Sequence, residues 1–434
     1  MIKRLILAGL LLMLAAVAQA GPRVQHWQTG NGMAVYFVHA PELPMLDLRV
    51  TFDAGSARDG DLPGLARLTN GALQQGAGGL SADEIAERFA RVGAQFDNGS
   101  LRDMAWLSLR TLTDPEYIRP ALDTFATVLW HPDFKPRDMA RLQRQALVSL
   151  ADDAAQPSVI AGNAFFRALY GDHPYGHPMK GTPESVKRIG PQQMRDFYRR
   201  YYVAANGLIA LVGDIDRATA EKLAETLSQG LPRGAHAPPL PPVPPLEQAR
   251  TVRIPFPSRQ AHVLIGQPGV ARGDPDYYAL YLGNHVLGGG GFTSRLVKEV
   301  RVKRGYAYSV YSYFLPMRAP GPFQIGLQTR GDQAEDAVRV ARQTLERYLR
   351  EGPSAEELKA AKQNITGSFP LRIASNASIA EYLGVIGFYG LPLDYLDTFT
   401  GHIEAQTRDD VLAALRRHLH PERMVTVIVG GESR

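Results

Sequence analysis

Residues 288–314 read GGGGFTSRLVKEVRVKRGYAYSVYSYF, and this stretch predicts a turn, a helix and a strand in succession. The four glycines predict a flexible turn. After them, Thr293 or Ser294 is expected to accept a hydrogen bond from a first-turn amide and so cap the helix. Gly305 is expected to end the helix, because glycine readily adopts the left-handed conformation found at helix C-termini. The apolar stripe of this helix consists of Leu296, Val297 and Val300.

The segment after Gly305 predicts a strand over residues 307–314. Its alternation places Tyr308 on the same face as Val310. Arg301 falls on the last turn of the preceding helix, and Tyr308 opens the strand. Because the two residues flank one tight turn, we expect the guanidinium and the phenol to meet over the same small volume.

The glycines, the Ser-Arg-Leu triplet and the pattern R-x-K-x-G-x-x-Y resemble the C-terminal half of the pitrilysin (insulinase) family of zinc peptidases, which includes the mitochondrial processing peptidase. In that family an arginine and a tyrosine at this spacing contact the substrate backbone and stabilise the tetrahedral intermediate. The resemblance implies that role for Arg301 and Tyr308. On the residues alone, the alternative is a solvated helix arginine and an ordinary strand tyrosine. We also predict that the preceding glycines bind substrate: Gly288, Gly289, Gly290 and Gly291.

Active members of the family carry the motif HxxEH on the helix that follows the second strand. Its two histidines bind zinc and its glutamate activates water. Here residues 53–56 (DAGS) and 62–66 (LPGLA) resemble the segments that lead into that helix. This resemblance aligns the five motif positions with residues 67–71.

The three chemical positions of that motif hold Arg67, Asn70 and Gly71. A guanidinium offers no lone pair and repels a dication, and an amide cannot take a proton from water as a glutamate does. Gly71 has no side chain. The family's third ligand is a glutamate on a later helix, and the corresponding residues 141–151 contain no carboxylate. We therefore predict that this chain holds no metal or other cofactor and that zinc belongs to a partner subunit.

Two other histidine pairs are candidate metal ligands. His173 and His177 lie four residues apart, but Pro174 between them predicts a loop and a structural role. His418 and His420 lie close together near a predicted helix end and favour no metal site either. The glycine run lacks the G-K-[ST] of a phosphate-binding loop, so nucleotide binding is not expected.

A proline-rich segment divides the chain. Residues 232–245 contain seven prolines, which predicts a stiff linker over 231–248 that joins two bodies without packing against either. The same order of strands and helices appears on both sides, which indicates an internal duplication and domains at 21–230 and 249–434. The predicted fold class is α+β. We expect two homologous α/β-roll domains, each a mixed, mainly antiparallel sheet backed by helices, in a clam-like arrangement.

The N-terminus predicts export. Lys3 and Arg4, an apolar run over residues 5–18 and an A-x-A site before Gly21 are typical of a signal peptide over 1–20. That run is too short to span a membrane. The chain has no cysteine, which excludes disulfides and thiol catalysis, and its formal net charge of +5 does not suggest nucleic-acid binding. We expect a periplasmic or secreted protein with no membrane span.

Family enzymes close two such two-domain bodies into a chamber, with zinc from one body and the arginine and tyrosine from the other. This chain carries the second set of groups without the first. The resemblance therefore favours a non-catalytic, substrate-binding subunit of a heterodimeric zinc peptidase, whose partner carries HxxEH. The alternatives are a peptide-binding or scaffolding protein with no catalytic role, or a lone peptidase with an unrecognised metal site.

Overall fold

The fold is described for residues 23–431 by a computed structural model. The predicted signal peptide, residues 1–20, lies outside the described residues. Within the described range, none of the helices combines the length and the apolar character needed to cross a bilayer.

The first half of the chain forms a six-stranded sheet in the order β1-β2-β8-β3-β7-β6. β2 and β8 are parallel, and the other neighbours are antiparallel. A short hairpin, β4 (Gly76–Ala77) with β5 (Leu80–Ser81), stands apart from it. The strands of the sheet are β1 (Gln25–Gln28), β2 (Ala34–His39), β3 (Met45–Phe52), β6 (Gln95–Ser100), β7 (Ala105–Leu112) and β8 (Gly207–Gly213).

The second half forms a five-stranded sheet in the order β11-β12-β10-β13-β9. β9 and β13 are parallel, and the other neighbours are antiparallel. This order repeats β6-β7-β3-β8-β2 of the first sheet, strand for strand. The predicted fold class, two homologous domains with mixed and mainly antiparallel sheets, is therefore confirmed. The strands are β9 (Arg250–Ile254), β10 (Gln260–Pro268), β11 (Ala307–Phe314), β12 (Pro322–Arg330) and β13 (Val425–Gly430).

Several helices begin at a side-chain cap. Ser81 and Glu84 form a capping box at the start of α2 (Ala82–Arg91), with Ser81 N donating to Glu84 Oε2 at 2.7 Å. The first half contains α1 (Leu65–Ala72), α2 (Ala82–Arg91), α3 (Pro115–Trp130), α4 (Pro136–Ala154), α5 (Pro157–Tyr170), α6 (Pro183–Arg188), α7 (Pro191–Tyr201) and α8 (Arg217–Gln229). The second half contains α9 (Tyr277–Asn284), α10 (Ala334–Glu351), α11 (Ala355–Arg372), α12 (Asn376–Tyr389), α13 (Tyr395–Ala405) and α14 (Arg408–His418).

Each half contributes a helix to the sheet of the other half. α12 packs across β2, β3 and β8, whereas α5 packs across β10 and β13. Close approach requires glycine at both contacts. A Cβ on Gly387 of α12 would lie 2.4 Å from the Tyr36 ring, and a Cβ on Gly266 of β10 would lie 2.8 Å from the Phe165 ring. The exchange buries apolar surface from both halves in a shared core.

The proline-rich segment does not stand free, contrary to the prediction. Leu240, Val243 and Leu246 pack against the apolar cluster around α5. The Arg58 guanidinium donates to the Pro238 carbonyl at 2.7 Å, and His173 Nε2 lies 3.0 Å from the Pro241 carbonyl. An extended proline-rich chain forms no internal hydrogen bonds, so its carbonyls remain available to neighbouring side chains.

A buried carboxylate connects the two halves. Asp103, in the turn between β6 and β7, is 4% exposed and accepts a hydrogen bond from the Tyr175 hydroxyl. From the second half, the Arg318 amide donates to it at 2.8 Å and the Tyr389 hydroxyl at 2.9 Å. Arg318 lies in the turn between β11 and β12, which is the equivalent turn of the second sheet. Equivalent hairpin turns of the two domains therefore meet at one polar junction.

Candidate functional site

The segment that carries Arg301 begins differently from the prediction. Neither Thr293 nor Ser294 caps the helix with its side chain. Their hydroxyls instead donate backwards, Thr293 to the Gly290 carbonyl at 2.9 Å and Ser294 to the Gly291 carbonyl at 2.7 Å. Gly290 follows the preceding helical segment, and Gly291 begins a 3₁₀ turn over Gly291–Thr293. The two hydroxyls therefore close the turn between the two helical segments and do not cap the second one.

Only the second half of the glycine run forms the turn. α9 continues through π-helical turns over His285–Gly289, and a Cβ on Gly288 would lie 2.4 Å from Ser312 Oγ of β11. Gly291 has a φ of 58°, which suits the predicted turn. The expectation of four flexible glycines is thus wrong for Gly288 and Gly289, which belong to the helix. The substrate-binding role of the four glycines remains a prediction.

A bulge decides where Tyr308 lies. The helical segment runs in π-helical turns over Val297–Val302, and Gly305 ends it with a φ of 65°, as predicted. In the strand that follows, Ala307 pairs with Thr329 and Ser309 pairs with Gln328. Tyr308 therefore has no partner on β12. Tyr308 is 82% exposed, whereas Val310 is buried. The prediction that Tyr308 shares a face with Val310 is wrong, because the extra residue changes the alternation.

The structure brings Arg301 and Tyr308 together. The guanidinium carbon of Arg301 lies 4.9 Å from the centroid of the Tyr308 ring and 4.8 Å from that of Phe292. Phe292 is itself 71% exposed, and sequence reasoning missed it. The signal available was an aromatic residue directly after the glycines. At an exposed site such a contact stabilises by about 0.5–1 kcal/mol, which is enough to bias the guanidinium toward the phenol.

The turn below Arg301 is held by other charges. Glu299 lies 2.8 Å from Lys303, 2.8 Å from Arg304 and 3.4 Å from Arg347. The hydrogen bond from Lys303, with that from Arg304, lowers the pKa of the Glu299 carboxyl to about 2. Within residues 23–431 the Arg301 guanidinium takes no part in an ion pair. It is available to a ligand.

The degenerate motif lies on α1, in the equivalent corner of the first half. Asp59 holds the start of this helix, since its two carboxylate oxygens accept from the Gly64 and Ala66 amides at 2.7 Å each. Arg67 is exposed on the next turn. Asn70, in contrast, is buried, so the motif positions differ in exposure.

Asn70 is bound into the interior. Its side-chain amide donates to the Trp106 carbonyl and to the Tyr202 hydroxyl, each at 3.2 Å. Its backbone carbonyl accepts from the Asn98 amide of β6 at 2.7 Å. Beside it, a Cβ on Gly71 would meet only the methyl carbons of Leu142, at 3.9 and 4.0 Å. These contacts give Asn70 a structural role and leave open space beside Gly71.

That space is a cavity of about 360 Å³ between α1, α4 and β6. Zinc in proteins is held by thiolate, imidazole or carboxylate groups, and none of these lines the cavity. The residues present therefore do not fit a zinc ion, in agreement with the sequence. Lys180 also lines the cavity, and its ammonium group lies 2.7 Å from the Asp153 carboxylate. The polar lining residues are Arg67, Asn70, Gln74, Asn98, Ser100, Gln145, Ser149 and Lys180.

Within residues 23–431, one group of potential metal ligands lies elsewhere, and protein cations already contact it. Asp274, Asp276 and His418 come together beside α14. The Asp276 carboxylate accepts hydrogen bonds from His418, at 2.8 Å, and from Arg417. A guanidinium in this position repels a metal ion. His420, the other histidine considered from the sequence, is outside the group.

Known proteins share this architecture. Residues 35–183 match the description "Insulinase (Peptidase family M16)", and residues 188–365 match "Peptidase M16 inactive domain". The crystal structure of a peptidase M16 inactive domain from Pseudomonas fluorescens is 42% identical, with a TM-score of 0.91, and covers 94% of this chain and 98% of that one. The chain belongs to the M16 family of peptidases. The resemblance inferred from the sequence is thereby confirmed.

Other M16 relatives include proteins named as peptidases and one named as a non-peptidase. The "uncharacterized zinc protease YmxG" of Bacillus subtilis is 25% identical over 362 residues, 82% of this chain and 86% of the relative. The "non-peptidase homolog YmxG" of Helicobacter pylori is 24% identical over 403 residues, 90% of each chain. Because the motif helix of this M16 chain has lost its ligands, the chain is of the non-catalytic M16-like type.

Proposed function

We propose that this chain is the non-catalytic, substrate-binding subunit of a heterodimeric M16 peptidase. The observation that carries the proposal is the contact between the half-buried Arg301 and the exposed Tyr308, in a chain whose motif helix lacks every zinc ligand. The partner is an M16 paralogue that carries HxxEH and holds zinc. The two subunits enclose the peptide in a chamber, and the pair acts on a scissile bond held by the partner.

The chemistry assigned to the pair is stabilisation of developing charge. When a peptide carbonyl is attacked, negative charge grows on its oxygen, and a donor already directed at that position lowers the barrier without reorganisation. Tyr308 supplies its phenolic proton as a hydrogen bond to the oxyanion. Arg301 holds a neighbouring substrate carbonyl and keeps the phenol oriented.

Sheet edges support the binding of an extended peptide. β6 ends the first sheet and β11 ends the second, so each carries a row of main-chain groups without a partner in its sheet. β6 borders the polar cavity of α1, and β11 begins beside Arg301. Main-chain pairing along such an edge gives affinity for many sequences, which suits a subunit that presents substrates to a peptidase.

Export is part of the proposal. An A-x-A site at the end of the N-terminal apolar run and the absence of cysteine support a periplasmic or secreted protein. The absence of zinc ligands predicts that the purified chain retains no stoichiometric zinc after dialysis. Metal analysis measures this directly, and one tightly held zinc per chain would contradict the proposal.

Reconstitution tests the proposal as a whole. The chain, an HxxEH-bearing M16 paralogue from the same organism and their mixture are assayed on a library of peptides, and complex mass is measured in parallel. We expect each protein alone to be nearly inactive and the mixture to form a heterodimer that cleaves peptides. Full activity of the paralogue alone, unchanged by addition of this chain, would exclude the subunit role.

A peptide-binding scaffold with no catalytic role is the second candidate. It is favoured by the cavity of about 360 Å³, whose lining of amides and hydroxyls offers many donors and acceptors and no catalytic group. Under this alternative the isolated chain binds peptides, whereas addition of the chain does not change the rate of any M16 paralogue. The same reconstitution separates the two candidates.

A further inference from the structure

A second cavity lies on the helical side of the second half, away from both sites described so far. It has a volume of about 320 Å³ and lies between α9, α11, α12 and α13. Four tyrosines and Phe399 line it, together with Arg272, Arg372 and Glu381. An adjoining cavity of about 160 Å³ shares Arg272 with it and extends to Tyr313 on β11. We call the two together the aromatic cleft.

Arg272 is half-buried, and its guanidinium lies near two aromatic rings. The guanidinium carbon is 5.5 Å from the centroid of the Tyr277 ring and 5.5 Å from that of the Tyr389 ring. Its Nε is buried and has no hydrogen-bond partner within residues 23–431. A buried donor without a partner costs free energy. The aromatic faces position the group but cannot replace a hydrogen-bond acceptor.

Arg372 brings a second guanidinium to the same cleft. It donates to the Tyr281 hydroxyl at 2.8 Å. In the described part of the chain, neither Arg272 nor Arg372 is paired with a carboxylate. Glu381 is the single acidic residue of the lining. Its charge also interacts with the guanidinium of Arg49, which lies on the first sheet. The lining therefore carries an excess of positive charge.

We propose that the aromatic cleft binds a carboxylate carried on an aromatic residue, such as the C-terminal residue of a peptide. Two guanidinium groups suit a planar carboxylate, which accepts paired N–H donors. The walls suit an aromatic ring, because Tyr281 lies 5.9 Å from Tyr277 and 5.9 Å from Phe399, centroid to centroid, in arrangements favoured between aromatic rings. The volume falls within the range of small-ligand sites.

This site is distinct from the pair proposed to support catalysis. The cleft reaches β11 at Tyr313, whereas the pair lies at Tyr308, about 17 Å away along an extended strand. The proposal also does not depend on a partner peptidase, because every group named belongs to this chain. Failure of either proposal leaves the other untouched.

Calorimetry on the purified full-length chain tests the cleft with two matched pairs of probes. The first pair is N-acetyl-L-tryptophan and its amide. The second is a hexapeptide ending in tryptophan and the same hexapeptide amidated at its C-terminus. We expect the acids to bind at least about tenfold more tightly than the amides, since each loses charge-assisted hydrogen bonds on amidation. Equal binding of acid and amide, or no binding of either acid, would overturn the proposal.

The two acids also separate the sources of the ligand. Binding of N-acetyl-L-tryptophan as tight as that of the peptide supports a free aromatic acid as the ligand. Tighter binding of the peptide supports a peptide C-terminus.

Variants locate the binding. Arg272→Gln and Arg372→Gln should each weaken binding of the acid by about tenfold to a hundredfold. Neither should change the weak binding of the amide. Arg339→Gln, on the exposed surface of α10, removes the same charge elsewhere and should have no effect. If Arg272→Gln does not fold, Arg372→Gln carries the test. Binding of the acid that is unaffected by the cleft variants would overturn the assignment.

Discussion

The two halves of the molecule build the same corner with opposite chemistry. In the first half, α1 follows β3 and borders the outer strand β6; in the second, α9 follows β10 and borders the outer strand β11. The first corner turns Asn70 inward and leaves a polar cavity beside Gly71. The second packs Gly288 tightly against β11 and exposes Tyr308 beside the half-buried Arg301. A duplicated scaffold thus positions residues equally well for burial or for exposure, and the side chains decide which.

Removal of the phenolic hydroxyl at the second corner should have the largest effect. Tyr308→Phe should lower kcat of the reconstituted heterodimer roughly a hundredfold, or about 3 kcal/mol, because one donor to the oxyanion is lost. Heterodimer formation should be unchanged, since the ring and its contact with Arg301 remain. Steady-state kinetics and complex mass measure the two quantities.

A matched control uses the same strand. Tyr311→Phe removes the hydroxyl of another exposed tyrosine of β11 and should leave kcat unchanged. Equal loss in both variants would indicate a general effect on β11 and not a role for Tyr308. Full activity of Tyr308→Phe would show that the Tyr308 hydroxyl has no catalytic role.

Replacing one glycine by alanine in each corner should change the free energy of unfolding in opposite directions. Gly288→Ala should destabilise the chain by about 1–3 kcal/mol, because its Cβ would lie 2.4 Å from Ser312 Oγ and 2.5 Å from the Ser312 amide nitrogen. Gly71→Ala should stabilise by about 0.5–1 kcal/mol, since alanine is the better helix residue and its Cβ meets only Leu142 at 3.9 Å. Urea unfolding measures both. Similar shifts in both variants would contradict the difference in packing.

The smallest effect concerns the charges that hold the turn below Arg301. Glu299→Gln should destabilise by about 1 kcal/mol at pH 7, because its partners are largely solvated. The pKa of the folded carboxyl is lowered to about 2, below the unfolded value of about 4.3. The stabilisation is therefore present above about pH 4.3 and is lost as the pH falls toward 2.

Unfolding free energies of wild type and Glu299→Gln, compared between pH 7 and pH 3, measure this dependence. Glu335→Gln serves as the control, since its pair with Arg253 lies on the exposed surface. It should change the unfolding free energy little at any pH. A wild-type advantage over Glu299→Gln that is undiminished at pH 3 would contradict the assignment.

Much of the fold, and the meeting of Arg301 with Tyr308, could be predicted from local sequence. The order of strands and helices in both halves follows from periodicity and turn residues, which act over a few positions. The loss of zinc ligands follows from residue type alone, since Arg67, Asn70 and Gly71 cannot supply the missing groups. Family membership rests on the same short patterns, and each of these predictions is independent of the distant contacts of the chain.

Other features of the molecule depend on contacts between residues far apart in the chain. Tyr308 is exposed because its strand bulges against β12, and the register of a bulge is set by the partner strand. The proline-rich segment packs because Arg58 and an apolar cluster meet it, which its own composition does not reveal. The exchange of α5 and α12 and the junction at Asp103 likewise need both halves in place. The sequence determined which groups the chain possesses, and long-range packing determined which of them a ligand can reach.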